Sequence, residues 1–195
     1  MALAGLPDRS LAVLVVCDGV TTAPESDRAA LAAARGASGA QYVTFHVAGA
    51  SYAMGIGVIK EIIEYGHITT IPLMPASIRG VINLRGSVVP VIDLAARLGF
   101  ERTQVSRRTC VVIVEIPHED QVFELGVVVD GVNEVLELGA ADLEPAPSFG
   151  AKVRADFIQA MARIRGQFVI VMRLEQVLSI EEVSNLARVA QSPAL

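Results

Sequence analysis

Tryptophan is absent from this chain, aromatic residues make up only 5% of its 195 positions, and cysteine and histidine occur two and three times. Each shortage excludes a class of function. Cys17 and Cys110 show neither metal-ligand spacing nor a disulfide framework, so free thiols in a reducing compartment are expected. His46, His67 and His118 are scattered, and no HExxH, GxSxG or GxxxxGK pattern occurs. A nucleophile with its base, a phosphate cradle, a metal and a cofactor therefore all lack a sequence basis. Asp93 and Asp130 follow apolar runs where carboxylates could collect, yet a helix cap at Asp93 and a tight Asp-Gly turn at Asp130 explain them more simply. With 19% charged residues, a net charge of −5 and no basic cluster interleaved with aromatics, nucleic acid is not an expected partner. No apolar run approaches the ~20 residues of a spanning helix. The run LAVLVV after Arg9 is shorter than a secretory core, and Val16 stands before Cys17 where a lipoprotein signal needs a small residue.

What is present is a repeat. Ile78 to Leu98, IRGVINLRGSVVPVIDLAARL, lies without a gap on Ile158 to Leu178, IQAMARIRGQFVIVMRLEQVL, 80 positions on. Identical pairs include Ile78/Ile158, Arg85/Arg165, Gly86/Gly166, Val89/Val169, Val91/Val171, Leu94/Leu174 and Leu98/Leu178. Each copy reads as two strands joined by a hairpin, with Gly86-Ser87 and Gly166-Gln167 as the glycine-first pair of a type II′ turn. Leucines four apart then predict one or two helical turns packing back on the sheet. Upstream, IKEII from Ile59 matches VNEVL from Val132, and prolines follow the shared glutamates Glu61 and Glu134 at spacings of 14 (Pro75) and 13 (Pro147).

A strand pair precedes each copy. Val43, Phe45 and Val47 alternate with Tyr42, Thr44 and His46, the chain turns through AGAS, and CVVIV later turns through PHEDQ into VFELGVVV. The 52% apolar content, rich in valine and isoleucine, favours buried strands. VIKEII is expected as a helical turn with Lys60 and Glu61 outward. Pro90, inside an apolar strand, predicts an edge position that needs no ladder donor. The expected organisation is an extension over residues 1–40, partly helical or disordered, then a domain over 41–180, with a first barrel at about 41–100 and a second at about 108–180. Residues 181–195 form a C-terminal helix or tail.

NLRGSVVPVIDL with Gly80 five residues before Arg85, the IKEI element, VVVDGVNEVL and PAPSF come in the order and spacing of the CheW-like chemotaxis coupling proteins, which the chain resembles from about Gln41 to Leu178. The resemblance implies an all-β fold of two SH3-like five-stranded barrels packed together, with short helical turns. It further implies a non-enzymatic, cytoplasmic adaptor at membrane-associated receptor arrays, joining chemoreceptor tips to the histidine kinase CheA. An adaptor of a pilus-motility or other chemosensory array is the alternative within the family, and a small β-barrel enzyme a distant one. Ala160 stands where the second copy of such proteins often has glycine, and Arg173 where aspartate is more usual.

Carried onto this sequence, the receptor-binding candidates are Ile59, Glu61, Gly80, Arg85, Val111 and Val132; the candidates for the kinase regulatory domain are Pro147, Ser148 and Phe149. Arg85 combines a turn position with a planar fork of donors, and its plainer reading is a solvated residue paired with Glu61 or Asp93. Gly80 equally marks a bulge or close backbone approach. Most apolar residues of VIKEII belong to a core on either reading. Phe149 is either a ring folded over a barrel mouth or an exposed anchor.

Overall fold

A computed structural model describes residues 39–118, 121–145 and 153–178. The alternating stretch after Gly39 forms β1 (Ala40–Val47) and β2 (Ala50–Gly55), joined at Ala48-Gly49, whose φ of 48° and 77° make a type I′ hairpin turn. A single 3-10 turn, Ile56–Val58, leads into β3 (Ile59–Glu64). IKEII is thus strand, and only Val58 of VIKEII belongs to the helical turn. Isoleucines on both faces suit a strand that packs on two sides, and β-branched residues lose less in a pleated strand than in a helix.

The repeated hairpins are β4 (Ile78–Leu84) with β5 (Ser87–Asp93), and β10 (Ile158–Ile164) with β11 (Gln167–Met172). Between them lie β6 (Cys110–His118), β7 (Gln121–Val129), β8 (Gly131–Leu138) and the two-residue β9 (Leu143–Glu144). Leu84 pairs with Ser87 and Ile164 with Gln167, so the central turn residues are Arg-Gly and not the glycine-first pairs expected. Arg85 and Gly86 have φ of 52° and 92°, Arg165 and Gly166 of 49° and 81°, again type I′. Asn83 Oδ1 accepts from the Gly86 N–H at 2.9 Å and holds the first turn. The helical tails follow as expected: α1 (Leu94–Arg97) and α2 (Leu174–Val177) bury Leu94, Leu98, Leu174 and Leu178.

Strand pairing overturns the division into consecutive barrels. One sheet has the order β3-β6-β7-β5-β4, the other β8-β1-β2-β11-β10-β9. The first copy of the repeat therefore gives β1 and β2 to one sheet and β3 to β5 to the other, and the second copy makes the reverse gift. The chain changes sheet at Ile56–Val58 and again at Asp130, where one residue separates β7 from β8. The contiguous sheet, barrel B, spans β3 to β7; barrel A combines β1 and β2 with β8 to β11 and carries β9 as a sixth strand. The junctions are equivalent: β5 runs parallel to β7, and β11 parallel to β2. Two tandem copies can pair within or between themselves, and the repeat does not say which.

Pro90 also departs from expectation. β5 lies inside its sheet, between β7 and β4, although its ladder to β7 begins only at Val91, so Pro90 sits at a local margin of that ladder.

Three apolar clusters fill the structure. Tyr42, Ala53, Ala162, Val169 and Val171 lie inside barrel A, and Val91, Val111, Ile113 and Val128 inside barrel B. The largest joins the barrels, with Phe45, Tyr52 and Met54 from one side and Ile62, Val112, Val114, Leu125 and Val127 from the other. Phe45 and Tyr52 stack with centroids 6.1 Å apart, and burial pushes the Tyr52 phenol above its usual range.

Gly80 has the bulge and the close backbone approach of its plainer reading. It sits at a bulge in β4 with φ 143°, and an added Cβ would lie 2.1 Å from the Thr69 carbonyl oxygen. The Thr69 strand segment is itself bonded to Val81 in both directions at 2.9 Å, so it has no easy retreat. Gly80→Ala is expected to cost about 3 kcal/mol through backbone strain and this clash. Urea unfolding measures it; a loss under 1 kcal/mol would show that the segment yields.

Candidate partner-binding surface

Arg85 stands at the tip of the β4–β5 hairpin, where its left-handed backbone turns the side chain clear of the sheet. Across the seam of barrel B its Nη2 donates to Glu61 Oε2 at 2.9 Å. The guanidinium side chain remains 77% exposed and the carboxylate 22%. One of five guanidinium N–H groups is thereby engaged, which leaves a planar fork open to solvent. Glu61 Oε1 is buried and has no hydrogen-bond partner among the described residues. Beside it on β3, Lys60 reaches Glu115 at 3.2 Å and also Glu124. The hydrogen bonds to Glu124 and then Glu115 hold the lysine above its usual pKa.

The remaining receptor candidates do not join this pair at the surface. Ile59 is buried in the cluster between the barrels, Gly80 under Thr69, and Val111 inside barrel B. Val132, on β8 of the other barrel, is half-buried against the shared cluster. Only Arg85 and Glu61 are brought together as groups that a partner could touch. Pro147, Ser148 and Phe149 lie outside the described residues.

Sequence reading missed two exposed apolar side chains near these elements. Val88 follows the Arg85 turn and is more than half exposed, and Leu73, in the IPLMP loop, is wholly exposed with φ 63°. In the sequence only Pro75, two residues on, marks the repeat here; that Leu73 faces outward follows from the loop's path, which pattern alone does not give.

Polar groups also converge at one notch. His46, Ser106, Arg108, Asp130 and Gly131 line a cavity of about 180 Å³, below the usual range of about 300 to 1,000 Å³ for ligand pockets. Asp130 and His46 already have hydrogen-bond partners there. Asp130 Oδ2 accepts from the Ala48 N–H at 2.8 Å, and the His46 ring nitrogens lie 3.3 Å from Ser51 Oγ and 3.0 Å from Asn133 Nδ2. Asp93 is likewise committed: it caps α1 through the Ala96 N–H at 3.1 Å and binds Arg79. Among the described residues no group of three or more His, Cys, Asp or Glu is placed to hold a metal ion. None of their helices is long and apolar enough to cross a membrane.

The model of the CheW-like domain matches residues 41–182. The chain belongs to the CheW-like family. The chemotaxis protein CheW of Klebsiella aerogenes is 30% identical over 154 residues, which cover 79% of this chain and 90% of that protein. The chemotaxis protein CheW of Bacillus subtilis is 36% identical over 110 residues, 56% of this chain and 68% of that protein. The crystal structure of the scaffolding protein TtCheW from Thermoanaerobacter tengcongensis matches with a TM-score of 0.66 at 30% identity, covering 74% of this chain and 90% of that one. With the two sheets described above, this makes the fold an all-β pair of SH3-like barrels with short helical turns.

Proposed function

We propose that the chain is a non-enzymatic chemotaxis adaptor that couples chemoreceptor cytoplasmic tips to the histidine kinase CheA, in the cytoplasm at membrane-associated receptor arrays. Family membership supports a scaffolding role, and the Arg85–Glu61 pair carries the receptor half of the reading. A receptor tip is a helical hairpin whose end offers carboxylates, amides and carbonyl oxygens, all acceptors. Arg85 presents donors in a fixed fork, at a turn whose backbone already fixes their direction. The kinase half rests on Pro147, Ser148 and Phe149 as an anchor for the kinase regulatory domain, by resemblance alone.

A charge-assisted hydrogen bond contributes about 1.5 to 3 kcal/mol. Arg85→Ala is accordingly expected to weaken binding of purified receptor tips about tenfold or more, with kinase affinity retained. Arg85→Lys keeps the charge, loses the fork and falls between. Separate titrations with receptor fragment and kinase read the result. Equal losses toward both partners, or a drop in melting temperature that accounts for them, would assign Arg85 to holding the seam through Glu61.

A further inference from the structure

The tip of barrel A repeats the tip of barrel B in backbone, ion pair and exposed apolar side chain. Arg165 has nearly the φ of Arg85, 49° against 52°, and the same 77% side-chain exposure. It reaches Glu134 at 3.2 Å (Nη1 to Oε1) and 3.3 Å (Nη2 to Oε2), across a seam equivalent to that of Glu61. Three residues after each arginine stands an exposed apolar side chain, Val88 in one tip and Phe168, 57% exposed, in the other. Phe168 is directly opposite the exposed Arg163 on β10. The barrel interior is filled by Ala160, Ala162, Val169 and Val171 and does not call on this ring.

A left-handed backbone at a long side chain costs on the order of 1 kcal/mol, and an aromatic ring held in water forgoes its burial. Neither stabilises barrel A. Arg163, opposite the ring, and Arg165, three residues before it, are both exposed, and Arg165 pairs with Glu134. An apolar ring flanked by arginines matches a segment that presents an apolar side chain between carboxylates.

We propose that Arg163, Arg165 and Phe168, with Glu134, form a second docking surface for a chemoreceptor-type helical tip, so that one chain binds two. This rests on the reading of Arg85 as the first such surface. The partner chemistry is the same at both ends, and the larger apolar group at the second makes that contact the more hydrophobic one. A bivalent adaptor joins neighbouring receptors directly, and linked binding of this kind multiplies avidity without new contacts.

The test is the mass at saturation, by sedimentation, of the full chain with a soluble receptor cytoplasmic hairpin fragment. Wild type is expected to bind two fragments. Phe168→Ser with Arg165→Glu should reduce this to one while the remaining affinity stays within twofold, and Arg85→Glu should leave the other one. All three changes together should abolish binding with an unchanged melting temperature. A one-to-one wild-type complex that the Phe168 and Arg165 changes do not weaken overturns the second surface and leaves Arg85 standing. Absence of any wild-type binding overturns both. A two-to-one complex that survives the Phe168 and Arg165 changes places the second site elsewhere and also overturns the proposal.

Discussion

Residues 39–100, produced alone, are expected to show no cooperative unfolding transition. In sequence order they look like one complete copy of the repeat, with five strands and a helical tail. In the structure only two of their strand ladders are internal, β1 with β2 and β4 with β5, beside the single Thr69–Val81 bridge. β3 has its ladder to β6, β5 its parallel ladder to β7, and β1 its second edge on β8. The fragment would hold two hairpins and a lone strand, with the apolar faces of Phe45, Tyr52, Met54 and Ile62 turned to water. Isolated hairpins are marginal in water, so the whole stability of a domain, about 5 to 15 kcal/mol, is at stake. Residues 56–130 provide the control, since they contain every strand of barrel B and its interior cluster. They should keep strand circular dichroism while binding a hydrophobic dye through the uncovered shared face. A sigmoidal melt from residues 39–100 comparable to that of the full chain would mean that the crossed pairing is not what holds the fold.

Local chemistry carried much of this fold on the surface of the sequence, and pairing between copies did not. The offset between copies located both hairpins and both leucine-anchored tails, because side chains there answer to their own strand and turn. The turn register differs by one residue for a definite reason: the sequence pattern favours glycine as the first, positive-φ turn residue, whereas Arg85 and Arg165 take the left-handed conformation themselves. Long side chains seldom do so, and nothing in the local pattern signals it. VIKEII misled because apolar residues at adjacent and four-apart positions fit a helical stripe as well as a strand buried on two sides. Of the surface residues, Arg85 reads from the sequence as a turn residue paired with Glu61 or Asp93, and the fold selects Glu61. The burial of Ile59 and Val111 was not, since it depends on which sheet β3 and β6 join.

Asp93→Ala is expected to cost about 3 to 5 kcal/mol, the range found when one partner of a buried ion pair is removed. The carboxylate is fully buried, and its acceptors are taken from three directions. Arg79 donates through Nε and Nη2, both at 2.7 Å; the Ala96 N–H caps α1 at 3.1 Å; the Thr103 N–H lies 3.0 Å from Oδ2, with its hydroxyl 3.3 Å from Oδ1. Removing it takes the carboxylate from the Arg79 guanidinium, 16% exposed between Tyr65 and the loop after α1 and left with the Thr103 carbonyl, and leaves the buried Thr103 N–H and the half-buried Ala96 N–H without this acceptor. Asp93→Asn retains one acceptor but turns an N–H₂ toward donors, so about half of that loss is expected from the hydrogen-bond change alone. The second copy shows what the site looks like without this device. Arg173 takes the equivalent place before α2 and offers no side-chain cap, leaving α2 to backbone bonds and to the burial of Leu174 and Val177. Urea unfolding of Asp93→Ala, Arg79→Ala and the double variant forms a cycle. Coupling of at least 2 kcal/mol is expected between the two; additive losses, or a single-variant cost below 1 kcal/mol, would mean that the 99–109 loop and α1 are held by packing and not by this carboxylate.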